Sequence, residues 1–175
     1  MWVPVGDVDP REATGPTRGE RDCVLDYLRA YRLTLSMKCE GLDAEQLARR
    51  SVPPSTLSLL GLVRHLANVE HTWARRCLEG EDLDRLYVSK QQPDLDFEGA
   101  LPDDTIVAQA WTTWQREVDH AEQVVAGFAD WSVRVAWHGQ EIEVRDVIVH
   151  LVEEYARHCG HADLLRECID GRTGQ

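Results

Sequence analysis

The chain has 175 residues, 43% hydrophobic and 29% charged, which fits one soluble globular domain, and no apolar run approaches the ~20 residues a membrane span requires. Its formal charge of −12, from 31 acidic against 19 basic side chains, repels a phosphate backbone and argues against nucleic-acid binding. Cys23, Cys39, Cys77, Cys159 and Cys168 form no CxxC pair and are odd in number, so neither a disulfide framework nor a cysteine zinc site is expected.

The first ten residues lack the basic start and apolar stretch of a secretory leader, so a cytoplasmic location is expected. Residues 1–19 carry three prolines and three glycines without periodicity and read as an extended N-terminal arm; residues 20–175 read as a single domain. Over residues 21–39, Val24, Leu28, Tyr31 and Leu35 recur at steps of four, three and four, the stripe of a first amphipathic helix. Asp43 opens a short helical turn that Pro53 and Pro54 prevent from continuing. Ser55 or Ser58 then caps a second helix reaching Glu79, with Leu59, Leu62, Leu66, Val69 and Trp73 on one face and Gly80 at its end.

Residues 81–102 are acidic and contain Pro93 and Pro102, the composition of a long connection over the surface. Asp103 or Asp104 starts a third helix to about residue 128, its apolar face formed by Val107, Ala110, Trp111, Trp114, Val118, Ala121 and Val125. Val133, Val135 and Trp137 alternate with polar residues, His138-Gly139 supplies a turn, and Ile142 and Val144 resume the alternation, which predicts a small β-hairpin. The last helix runs from Arg145 or Asp146 to Ile169 and stops before Asp170-Gly171. The expected fold is all-α, a four-helix bundle with a small hairpin before its last helix.

On that last helix, with Glu154 at zero, His158 falls at about 40°, His161 at about −20° and His150 at about −40°. Val147, Leu151 and Leu165 share this sector, so the polar stripe lies on the face that should meet the core. A buried carboxylate without a partner costs several kcal/mol, and a cation ligated by Glu and His removes that cost. Glu154 and His158, one turn apart, can reach a common ion.

The third ligand is assigned to His65, which lies beside Leu62 and Val69 on the inward side of the second helix. On the same wheels His71 and His120 point outward, and His138 sits in the hairpin turn. Two histidines and one glutamate leave a tetrahedral ion with an open position, as in catalytic zinc sites. The tryptophans read as core. Glu117-Val-Asp-His120 is a single Glu-x-x-His element, where a di-iron bundle needs two. Cys159, rotated 100° from His158, reads as a packing thiol.

The segments His65-Leu-Ala-Asn-Val-Glu70 with Trp73, and His150-Leu-Val-Glu-Glu154-Tyr-Ala-Arg-His158-Cys-Gly-His161 continuing to Glu167, resemble the DinB-like superfamily. More narrowly they resemble the actinobacterial branch related to mycothiol-dependent maleylpyruvate isomerase and the bacterial low-molecular-weight-thiol transferases. The resemblance spans roughly residues 20–171. It implies a four-helix bundle, a divalent ion held by one histidine of the second helix and a pair from the last, and frequent homodimerisation. Many relatives use three histidines; here Glu154 takes the first place of the pair, as in the isomerase, and His161 is left as an alternative ligand or a support for one. The isomerase carries a further C-terminal domain that contributes to its active site, whereas this sequence stops at Gln175, so isomerisation itself is not expected.

The leading expectation is therefore a metal-dependent transferase that binds zinc or nickel and joins a small thiol, mycothiol in particular, to a small electrophile. The alternatives are a non-catalytic metal- or ligand-binding protein and a hydrolase using metal-bound water. Thiol-dependent loss of an electrophile separates the first from the other two.

Overall fold

The computed structural model describes residues 8–12, 15 and 19–174. Of the predicted N-terminal arm, residues 1–7, 13–14 and 16–18 lie outside the described residues; Pro10–Glu12 form a 3-10 turn resting on the first helix. The helices are α1 (Gly19–Cys39), α2 (Ala44–Ala48), α3 (Leu59–His71), α4 (Leu95–Glu98), α5 (Asp104–Gly127) and α6 (Val144–Asp170), with strands β1 (Arg134–Trp137) and β2 (Gln140–Glu143) between α5 and α6. Among the described residues, no helix is long and apolar enough to cross a membrane.

Local chemistry sets most of these boundaries. Asp43 caps α2 in a reciprocal box with Gln46, Ser58 accepts from Gly61 N at the start of α3, and Asp103 accepts from Thr105 N and Ile106 N at the start of α5. Gly171, at φ 77°, ends α6 in the left-handed conformation that favours glycine. The hairpin pairs Arg134 with Glu143 and Trp137 with Gln140. Its two turn residues, His138 and Gly139, have φ of 49° and 79°, the signs a two-residue turn needs to follow the strand twist.

The four long helices make the bundle: α3 packs against α5 and α6, and α1 packs along α6. Leu28, Leu35, Leu59, Leu62, Leu66, Trp114, Leu151, Tyr155 and Leu165 fill its centre, and a smaller cluster around Trp131, Val144, Val147 and Ile148 lies under the hairpin. Two buried polar contacts tie the helices together. Arg32 of α1 donates from Nε and Nη2 to the fully buried Glu70 of α3, at 2.8 and 2.9 Å, and Trp114 Nε1 donates to Tyr155 Oη at 2.8 Å.

Three features differ from the sequence reading. The second predicted helix does not run unbroken to Glu79: α3 ends at His71, and Thr72–Leu78 continue it with the wider π-helical winding, so one wheel cannot describe both parts. His71 does not point outward. It is buried, with Nδ1 3.3 Å from Glu117 Oε2 and Nε2 3.0 Å from the Asp84 carbonyl, because α5 and the connection cover the side of α3 that a two-sided wheel leaves to solvent. The 81–102 connection is not wholly a surface loop: its α4 turn packs on α3 and buries Asp96.

Candidate metal centre

α3 is the most enclosed helix of the bundle, and every one of its residues except His65 is buried. His65 faces α6 where the packing opens, with its side chain 21% exposed. Opposite it on α6 stand Glu154 and His158, separated by one turn. His65 Nε2 is 3.8 Å from Glu154 Oε2, and His158 Nε2 is 3.3 Å from the same oxygen. One ligand-type atom from each of the three residues lies within 4.8 Å of the other two. Donors bound tetrahedrally at roughly 2.0–2.2 Å stand about 3.4 Å apart, so the spacing and chemistry of this set suit a divalent cation.

The surroundings hold the two rings in place. Asp96, from α4, brings Oδ2 to 2.8 Å from His65 Nδ1, which leaves Nε2 turned toward Glu154. Phe97 stacks on His65 with centroids 5.1 Å apart and planes at 25°. His158 presents Nε2 to Glu154, while its Nδ1 is 3.2 Å from Nδ1 of His161. His161 therefore lies against the far side of the His158 ring, outside the three-residue set. His150 Nε2 approaches Glu154 Oε1 at 3.3 Å, and its ring packs 4.6 Å from that of Trp73.

These contacts fix the electrostatics. Burial alone would pull the His65 pKa down, but the hydrogen bond with Asp96 and the facing Glu154 carboxylate outweigh it and push it up to about 9. The His158 and His65 imidazoles facing it hold the Glu154 carboxyl well below the ordinary carboxylate range, against the opposing effect of burial. Burial and the neighbouring His158 and Arg157 lower the pKa of His161.

Other sequence candidates lie elsewhere. His120 is held by Glu79 Oε2 at 2.6 Å on the outer side of α5, and His138 is exposed in the hairpin turn. Glu117 is buried, but Arg75 and Arg116 occupy its oxygens at 2.8 Å each. Cys159 is buried, and burial pushes its thiol up to about 12, the behaviour of a packing residue. Asp96 escaped the sequence reading: it lies in a segment of acidic loop composition, and no periodicity connects it with His65.

A family model described as mycothiol-S-transferase matches residues 23–171. No curated protein and no solved structure matches the chain.

Proposed function

The chain belongs to the mycothiol-S-transferase family, and from that premise we propose that it is a metal-dependent S-transferase, with His65, Glu154 and His158 as ligands of one zinc or nickel ion and mycothiol as the thiol substrate. The observation that carries the reading is the convergence of His65 Nε2, Glu154 Oε2 and His158 Nε2 at the one opening of α3. A divalent ion held there would supply Lewis acidity, lowering the pKa of a thiol at its open position.

The protein's own groups have separate tasks. Glu154, ionised and facing both imidazoles, supplies the negative charge that favours a cation over a second proton. Asp96 orients His65, and His161 braces His158. Phe97 against His65, and Trp73 of the Thr72–Leu78 segment against His150 of α6, put beside the three donors aromatic rings that suit the carbon skeleton of an electrophile. No nucleophilic side chain is needed: the thiol sulfur forms the new bond to carbon, its proton passes to solvent, and any leaving group departs with the bonding electrons. The site of action we propose is the cytoplasm, with residues 20–175 acting as one domain.

The test is thiol-dependent turnover. Zinc- and nickel-loaded protein, mixed with mycothiol and a panel of epoxides, quinones and halogenated compounds, should consume both reactants, whereas Glu154→Ala should not. Consumption of an electrophile without thiol would instead support a hydrolase, and loss of neither reactant would support a binding protein.

A further inference from the structure

The 81–102 connection is fastened to α3 by contacts that touch none of the three donor atoms. Arg64, the residue before His65, donates from Nε to the Asp96 carbonyl at 2.8 Å and from Nη2 to the Leu95 carbonyl at 2.9 Å. Its guanidinium also lies over the Tyr87 ring, 4.0 Å from the centroid. Arg64 is buried, so both carbonyls are bound by a charge withdrawn from water, where such hydrogen bonds are strong.

Two glycines make the fit. A Cβ on Gly61 would stand 3.0 Å from Phe97 Cδ1 and 3.4 Å from Phe97 Cα, so its absence lets α4 approach α3. A Cβ on Gly99 would stand 2.6 Å from Arg64 Nη2 and 2.8 Å from the Leu95 carbonyl oxygen. The α4 turn is four residues long, too short to hold its shape alone. Its position is therefore set by this docking, and the docking delivers Asp96 to His65 Nδ1 and Phe97 to the face of the same ring.

We infer that Arg64 and Asp96 are positioning residues: the Arg64-docked turn clamps the His65 ring in the tautomer and orientation that aim Nε2 at the ion, and so sets the affinity of the site. The inference rests on the metal reading proposed above. Asp96 acts by accepting the Nδ1 proton, which leaves the Nε2 lone pair free. Arg64 acts only by holding the backbone that carries Asp96. Because the two lie in series, removing both should cost little more than removing one.

The experiment measures zinc affinity by competition with a chromophoric chelator, using full-length wild type, Asp96→Ala, Asp96→Asn, Arg64→Met, Gly99→Ala and the Arg64→Met/Asp96→Ala double variant. Asp96→Ala should lose roughly 10–100-fold in affinity, the usual effect of removing the partner of a ligand histidine. Asp96→Asn, which keeps an acceptor, should recover part of that loss. Arg64→Met and Gly99→Ala should each lose affinity without touching a donor, and the double variant should match Asp96→Ala within about threefold. Circular dichroism of the ion-free proteins identifies any variant that fails to fold; should Arg64→Met do so, Gly99→Ala carries the comparison. Unchanged affinity in Asp96→Ala, or losses that multiply in the double variant, would overturn the clamp while leaving the metal reading intact. A wild-type protein that bound neither zinc nor nickel would remove both.

Discussion

His65 Nε2 and Glu154 Oε2 face each other across the α3–α6 packing at 3.8 Å, close enough to share one ion and too far apart for a good hydrogen bond. The gap distinguishes this pair from the bundle's buried ion pairs, which close to 2.8 Å at Arg32–Glu70 and Arg75–Glu117.

If that gap is a ligand site, protein purified without a histidine tag should carry ~one divalent ion per chain by elemental analysis. His65→Ala, Glu154→Ala and His158→Ala should each strip the ion, because three protein donors are the minimum set here. His161→Ala should weaken binding partially, through the support it gives His158. His120→Ala, whose ring is tied to Glu79, should retain full occupancy.

Glu117 gives a prediction about acid stability. Burial would raise its pKa, but hydrogen bonding with His71, Arg75 and Arg116 outweighs burial and holds it down at about 2. A carboxyl with a lowered folded-state pKa stabilises the fold fully above its ordinary value near 4.5 and loses that contribution as pH falls toward 2. Urea denaturation between pH 6 and pH 2.5 should therefore show a falling stability whose slope is shallower in Glu117→Gln. An identical slope in the variant would show that Glu117 does not control the acid limb.

The Arg32–Glu70 pair should matter for folding and not for the ion. Glu70 is fully buried, and Arg32 donates two hydrogen bonds to it. Arg32→Met strands that carboxylate, for an expected loss of about 3–5 kcal/mol in urea denaturation. Below the denaturation midpoint, zinc stoichiometry should remain that of wild type.

The sequence makes the bundle legible because its signals are local: the caps at Ser58 and Asp103, the Gly171 stop and the His138-Gly139 turn act within a few residues of themselves. That Glu154 and His158 share a face is equally legible, because they stand one turn apart on one helix, as is the inward side of His65 beside Leu62; the structure brings the three together. The failures have a common cause in long-range covering. His71 is outward on an isolated wheel, yet α5 and the connection close over it. The π-helical winding after His71 arises without a proline or glycine inside Thr72–Leu78 to announce it. Asp96 belongs to the site through a docking that involves Arg64, Gly61 and Gly99, three residues whose relation exists only once the chain is folded.

Cobalt substitution followed by titration with mycothiol tests the central claim most directly, since a sulfur-to-cobalt charge-transfer band reports a thiol arriving on the ion itself. The account predicts a saturable band with mycothiol, weaker or absent with bacillithiol and glutathione, and lost in Glu154→Ala. Cobalt that binds at His65, Glu154 and His158 while no thiol produces the band or binds detectably would contradict the transferase reading.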